Sequence, residues 1–256
     1  ISIFRRGFSD AEQRARQGQL SSHSVGIKKL RSCVHNSKTL NRISLYFISE
    51  QHLLQKAASD VLLSGGVIAV PTDTIYGIAA LSQDVEAINR IYNIKQRDLQ
   101  KPIAISVGDI DDIYRWSKVT VNNDLLSELL PGPVTVVMER SEELNPRLNP
   151  DTKLIGVRIP DHKFIRSLAQ QCRQPIALTS ANISYDRSSL SVEEFKDLWP
   201  KLDLIIDGGI LSSSGERSGS TVVDLSTSGF YRIIRQGSGF EETLKILHKH
   251  KLQEKS

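Results

Sequence analysis

Apolar positions recur at helical spacing across residues 50–64, where Leu53, Leu54, Ala57, Ala58, Val61 and Leu62 share one face. Ser49 is placed to cap this helix and Gly65-Gly66 to end it. VIAV at 67–70 reads as a buried strand. The helical pattern returns at 84–95 through Val85, Ile88, Ile91 and Tyr92, and IAISV (103–107) reads as a strand. Helical segments near 109–116 and 122–130 close on PGP at 131–133. VTVVM (134–138) and LIGVRI (154–159) are strands, 161–172 is a helix, and PIALTSAN (175–182) is a short strand entering a polar loop. Ser191 and Glu194 have capping-box spacing for a helix reaching Trp199. LDLIID (202–207), STVVDL (220–225) and YRIIR (231–235) are strands, and an amphipathic helix covers about 239–250.

Strands alternating with helices predict an α/β domain. The absence of a helix between 220 and 235 predicts a mixed rather than purely parallel sheet. Polar clusters follow four of the strands: PTDT after 67–70, TSAN after 176–178, RIP at the close of 154–159, and RQG after 231–235. Open α/β sheets bind ligands in crevices at strand ends, so the four clusters point to one shared pocket.

The 256 residues divide into a basic leader (1–45), a single folded domain (46–250) and a short tail (251–256). Residues 1–42 carry nine Lys or Arg and two acids, a charge of +7, which leaves −3 for the remainder. The basic excess therefore belongs to the leader, and the body shows no global sign of a nucleic-acid binder. The leader is also Ser-rich and acid-poor. That composition fits an organelle transit peptide and equally a disordered basic tail. Cys33 and Cys172 are too few for a disulfide framework or a four-cysteine zinc site, and the six histidines show no metal-ligand spacing. No apolar run approaches the ~18 residues of a membrane span.

Candidate chemistry concentrates in the loops. Lys95, Arg97 and Lys101 close a helix, where cations suit its dipole; a fork-shaped Arg beside point-charge Lys residues also suits a polyphosphate. TSAN (179–182) brings two hydroxyls and an amide, the makings of an Asx-type turn or of a phosphate contact. GSTVVDL (219–225) follows a glycine-containing loop whose N–H groups suit an anion. Walker A, GxGxxG, GxSxG and HExxH motifs are all absent.

Taken in order, PTDTIYG, KQR, PGPVT, VRIP, SAN, GSTVVDL and IIRQG resemble the YrdC-like family of L-threonylcarbamoyl-adenylate synthases over about residues 47–240. The resemblance implies a twisted mixed β-sheet with flanking helices around a basic cavity and, through PGPVTVVMERSEELN and VEEFKDLWP, which resemble the family's animal members, a cytoplasmic and mitochondrial protein. It implies conversion of L-threonine, bicarbonate and ATP to L-threonylcarbamoyl-AMP and pyrophosphate, the product passing to a tRNA threonylcarbamoyl-transferase complex. Lys95, Arg97 and Lys101 then match ATP-phosphate contacts; Ser180 and Asn182 match the S-x-N phosphate contacts; Ser188 and Arg235 match further nucleotide contacts. Lys95, Arg97, Ser180 and Asn182 form the implied catalytic set, and Thr74, Arg158 and Ser220 match threonine-binding positions. Mg²⁺ is expected with ATP, without a protein-bound organic cofactor; no carboxylate declares itself a metal ligand, and Asp73 is no more than a candidate for it. Ser106 stands where some relatives carry a histidine near threonine, which predicts a weaker contact there. The competing reading is a double-stranded RNA or tRNA-binding module, which the −3 body disfavours.

Overall fold

The apolar runs pair edge to edge. The computed structural model describes residues 42–44, 51–96, 101–184, 186–212 and 215–255. Its strands are β1 (Arg42–Ser44), β2 (Ile68–Val70), β3 (Gly77–Leu81), β4 (Ala104–Ser106), β5 (Ser117–Lys118), β6 (Val134–Arg140), β7 (Leu154–Arg158), β8 (Ile176–Ser180), β9 (Leu204–Asp207), β10 (Thr221–Asp224), β11 (Phe230–Arg235) and β12 (Gln253–Glu254). They form one sheet in the order β1-β9-β2-β3-β8-β4-β7-β6-β10-β11-β12, with β5 paired to β6. The sheet is mixed: β2/β9, β4/β7 and β6/β10 are parallel, whereas β2/β3, β3/β8, β8/β4, β6/β7 and β10/β11 are antiparallel.

The helices are α1 (Gln51–Leu63), α2 (Val85–Lys95), α3 (Ile110–Trp116), α4 (Asn123–Leu129), α5 (Lys163–Cys172) and α6 (Phe240–Lys249). Leu54, Ala58 and Leu62 of α1 and Phe164, Ile165 and Leu168 of α5 pack with Ile68, Val70, Ala79 and Leu178. Ile88 and Ile91 of α2 join the other cluster, with Ala69, Ile78, Ala80, Ile105 and Val157. The strand residues alternate between the two clusters, as the pleat requires. Each large side chain buried this way contributes about 1.5–3 kcal/mol. Helix α1 ends as its sequence predicts: Gly65 takes φ +82°, and the Gly66 N–H bonds back to the Val61 carbonyl at 2.9 Å. Asp84 caps α2 by accepting from the Ala87 N–H at 3.0 Å.

Several elements differ from the sequence expectation. β3 is a strand that the apolar pattern does not announce. All five of its residues are buried between β2 and β8, so no polar alternation marks it. Arg42–Ser44 fall in the stretch read as leader, yet they pair in parallel with β9. Gln253–Glu254, in the stretch read as tail, pair with β11. Three- and two-residue strands are too short to carry a periodicity. The segment Val192–Lys201 is 3₁₀ helix rather than α-helix, and Ser191 makes no side-chain cap. Glu194 accepts from the Leu190 N–H at 2.9 Å instead of closing a capping box. Ser49 lies outside the described residues.

Candidate active site

The polar strand ends do converge. A cavity of about 380 Å³ opens beside β8, β4, β7, β6 and β10, lined by the sequence-singled Arg158, Ser180, Ser220 and Arg235. Small residues make the room. Gly156 forms part of the floor, where an added Cβ would stand 3.0 Å from Thr135 Cγ2 and 3.3 Å from the Ala104 Cβ.

The PTDT turn forms one wall. Thr72 Oγ1 donates to the Ile75 carbonyl at 2.7 Å and accepts from the Thr74 and Ile75 N–H groups at 3.2 and 3.3 Å, an ST-type turn. Tyr76 is buried, and its hydroxyl donates to the Gly209 carbonyl at 2.8 Å while accepting from the Gly208 N–H. These residues hold the wall. Thr74 faces Arg158, whose Nη2 donates to Thr74 Oγ1 at 2.8 Å and also to Asp73 Oδ1. The second Asp73 oxygen accepts from the Asp161 N–H at 2.9 Å.

Arg158 is 7% exposed, and its Nε is buried with no hydrogen-bond partner among the described residues. Burial pulls its pKa below the usual guanidinium value; Asp73 opposes that shift, and the nearby Arg235 adds to it. Burial lowers Arg235 as well. Arg235 donates to the Ser220 carbonyl at 2.7 Å and reaches Ser220 Oγ at 3.3 Å, while Ser220 Oγ and Thr135 Oγ1 lie 2.7 Å apart. Two desolvated cations thus face one cavity. Ser106 is fully buried beside Arg158 in register, and its Oγ has no partner among the described residues.

Lys95 is 1% exposed, far from the solvated cation usual at a helix end. Its Nζ donates to the carbonyls of Ser180 (2.5 Å) and Asn182 (2.8 Å) and lies 3.4 Å from Ser180 Oγ. The ammonium therefore braces the TSAN turn, and its remaining reach is toward the cavity-lining hydroxyl. The Asn182 amide donates to the carbonyls of Ile183 and Asp186, at 2.8 and 2.7 Å. Lys101 is half-buried and precedes Pro102, a cavity residue. Arg97 lies outside the described residues.

Ser188 does not line the cavity; its carbonyl accepts from Arg217 at 2.8 Å. The same guanidinium makes two bonds to Glu194, at 2.6 and 2.8 Å. Arg217 thereby ties the Ser/Gly loop before Ser220 to the Ser188 segment. Sequence reasoning missed this tie, and also Thr135 and the Asp73–Arg158 pair. The only available signal was that Thr135 and Asp73 sit inside quoted motifs. Among the described residues, no group of three or more His, Cys, Asp or Glu is placed to hold a metal ion. No helix among them is long and apolar enough to cross a membrane.

The fold and the two-arginine cavity define an α/β protein with a cationic crevice at its strand ends, suited to an anionic small molecule. The family model described as telomere recombination, Sua5/YciO/YrdC, matches residues 60–237. The threonylcarbamoyl-AMP synthase of Mus musculus is 53% identical over 195 residues, covering 75% of this chain and 70% of the mouse protein. The Homo sapiens enzyme gives the same figures. The crystal structure of Pyrococcus abyssi Sua5 complexed with L-threonine superposes with a TM-score of 0.72 at 28% identity, covering 84% of this chain and 62% of that one. The chain belongs to the YrdC/Sua5 family of threonylcarbamoyl-AMP synthases.

Proposed function

We propose that this cavity is the catalytic site of a threonylcarbamoyl-AMP synthase. The enzyme joins L-threonine, bicarbonate and ATP into L-threonylcarbamoyl-AMP with release of pyrophosphate, for threonylcarbamoyladenosine modification of tRNA beside the anticodon. The observation that carries the residue assignment is the pair of desolvated guanidiniums, Arg158 and Arg235, in the lining of one cavity.

The chemistry asks for positioning and charge neutralisation more than for a protein nucleophile. Threonine's amine takes up bicarbonate with loss of water to give a carbamate. A carbamate oxygen then attacks the α-phosphorus, and the bond to the leaving pyrophosphate breaks. Arg158, from the cavity wall, receives the amino-acid carboxylate, with Ser220 beside it and Thr74 behind it holding Nη2. Arg235 and Ser180 serve the nucleotide from the cavity wall, with Asn182 and Ser188 in the segments that flank it, while Arg97 and Lys101 neutralise its phosphates. Lys95 acts through the Ser180 hydroxyl and the turn it braces. Both oxygens of Asp73 already accept hydrogen bonds, and its charge is matched by Arg158, so the residue does not suit a divalent cation. Mg²⁺ enters with the triphosphate as part of the substrate. The product passes to a tRNA threonylcarbamoyl-transferase complex. We place its work in cytoplasm and mitochondria, a reading that the transit-peptide-like composition of the leader supports for the mitochondrial share.

Pyrophosphate release measured with each substrate omitted in turn tests the reading. Release is expected only with threonine, bicarbonate and ATP together, alongside a product whose mass carries labelled bicarbonate carbon. Equal release without threonine refutes it.

A further inference from the structure

We propose that Asp73 is a positioning residue of the amino-acid subsite, holding the Arg158 guanidinium in the pose that receives the substrate carboxylate. The inference rests on the carboxylate-binding reading of Arg158 given above.

Asp73 follows the end of β2, and Arg158 ends β7. Three strands, β3, β8 and β4, separate these two in the sheet. The chain after β2 brings the Asp73 carboxylate to the end of β7, where both of its oxygens bond. Oδ1 accepts from Arg158 Nη2, and Oδ2 accepts from the Asp161 N–H just beyond the same strand. It therefore fixes the guanidinium and also the backbone from which Arg158 projects. Both side chains are withdrawn from water, at 9% exposure for Arg158 and 10% for Asp73.

The pinning is one-sided. Nη2 is shared between Asp73 and Thr74, and Thr74 Oγ1 is itself held 3.2 Å from Thr72 Oγ1. Nε, on the same guanidinium, is left buried and unpartnered among the described residues. A buried donor without an acceptor is unfavourable, and such atoms need an explanation. That atom is closed to solvent here, and a small shift of the guanidinium toward the cavity it lines would bring it an acceptor on an entering carboxylate. Planar recognition of this kind depends on the orientation of the guanidinium as much as on its charge. Arg235 repels Arg158, so without Asp73 the side chain would have reason to turn away from the cavity.

The test uses Asp73→Asn in the full chain, a near-isosteric change that keeps an acceptor for the Asp161 N–H. Dissociation constants for L-threonine, L-threoninamide and ATP are measured by calorimetry, with Tm as a fold control. Threonine affinity is expected to fall on the order of tenfold to a hundredfold, as for a group displaced by about 1 Å. Affinities for threoninamide and ATP stay as they were, so the preference for the free carboxylate collapses. In an Arg158→Lys background, Asp73→Asn should add little further loss, because the two side chains act as one unit. Equal weakening of threonine and threoninamide, or of ATP, makes Asp73 a mere staple of the fold and overturns the proposal. A loss in Arg158→Lys with none in Asp73→Asn overturns the Asp73 role alone. No loss in Arg158→Lys overturns the parent reading and the proposal with it. If Asp73→Asn melts early, Asp73→Glu keeps the charge one methylene further out. It should retain ATP affinity and lose part of the threonine preference; an unchanged preference counts against the proposal.

Discussion

Lys95→Met separates a brace from a phosphate contact. The methionine keeps most of the volume and removes the ammonium. Two partly buried carbonyls, those of Ser180 and Asn182, then lose charge-assisted donors. Each such bond is worth about 1.5–3 kcal/mol. Part of that is returned because an ammonium no longer has to be desolvated. A net loss of about 2–3 kcal/mol remains as an order-of-magnitude figure once these opposing effects are combined. In a body of this size each kcal/mol moves Tm by about 2–4 °C, so the melt should drop by roughly 5–10 °C. The slackened turn carries Ser180 into the nucleotide subsite, and a displacement of about 1 Å there costs on the order of a hundredfold in turnover. Differential scanning fluorimetry and pyrophosphate release at varied ATP read the two effects together. Threonine affinity, set at Arg158, should hold. Lost turnover with an unchanged Tm would refute the reasoning, because Nζ would then serve the phosphates without holding the turn.

Glu194 gives a pH prediction. The hydrogen bonds from Arg217 hold its carboxyl down at about 2, against an ordinary value of 4.5. A folded-state pKa below the unfolded one adds stability that is complete above about pH 4.5 and lost as the pH falls toward 2. Glu194→Gln should lower Tm by roughly 2–4 °C at pH 7 and flatten the acid dependence in that window; an unaltered acid profile argues against the ion pair. A fluorescent protein carrying residues 1–45 is expected to reach both cytoplasm and mitochondria, and wholly cytosolic signal would end the targeting proposal.

Long amphipathic elements were legible from sequence because their burial repeats: α1 and α2 show the helical period over eleven residues or more. β3 was not, because burial on both faces erases the alternation by which a strand is recognised. The convergence of four polar strand ends followed from the general behaviour of α/β sheets. The partners of each side chain did not. Lys95 reads as a helix-end cation in one dimension and is buried in three, because its acceptors lie 85 and 87 residues away. Asp73 and Arg158 are 85 apart, and Arg217 and Glu194 are 23 apart. No local pattern encodes such pairings; they exist only once the sheet order brings the loops together.

The pairing of β1 also limits how this chain can be trimmed. Arg42 bonds Asp207 and Glu193, and its guanidinium lies 5.2 Å from the centre of the Trp199 ring. With Ile43 and Ser44 it covers the outer side of β9. A protease that removed the leader beyond Arg42 would strip this cover, free two carboxylates and leave β9 as a bare hydrogen-bonding edge open to another chain. Were the leader to be removed, the cut is expected ahead of Arg42, and N-terminal sequencing of the mature protein checks it; a first residue beyond Ser44 would refute the expectation.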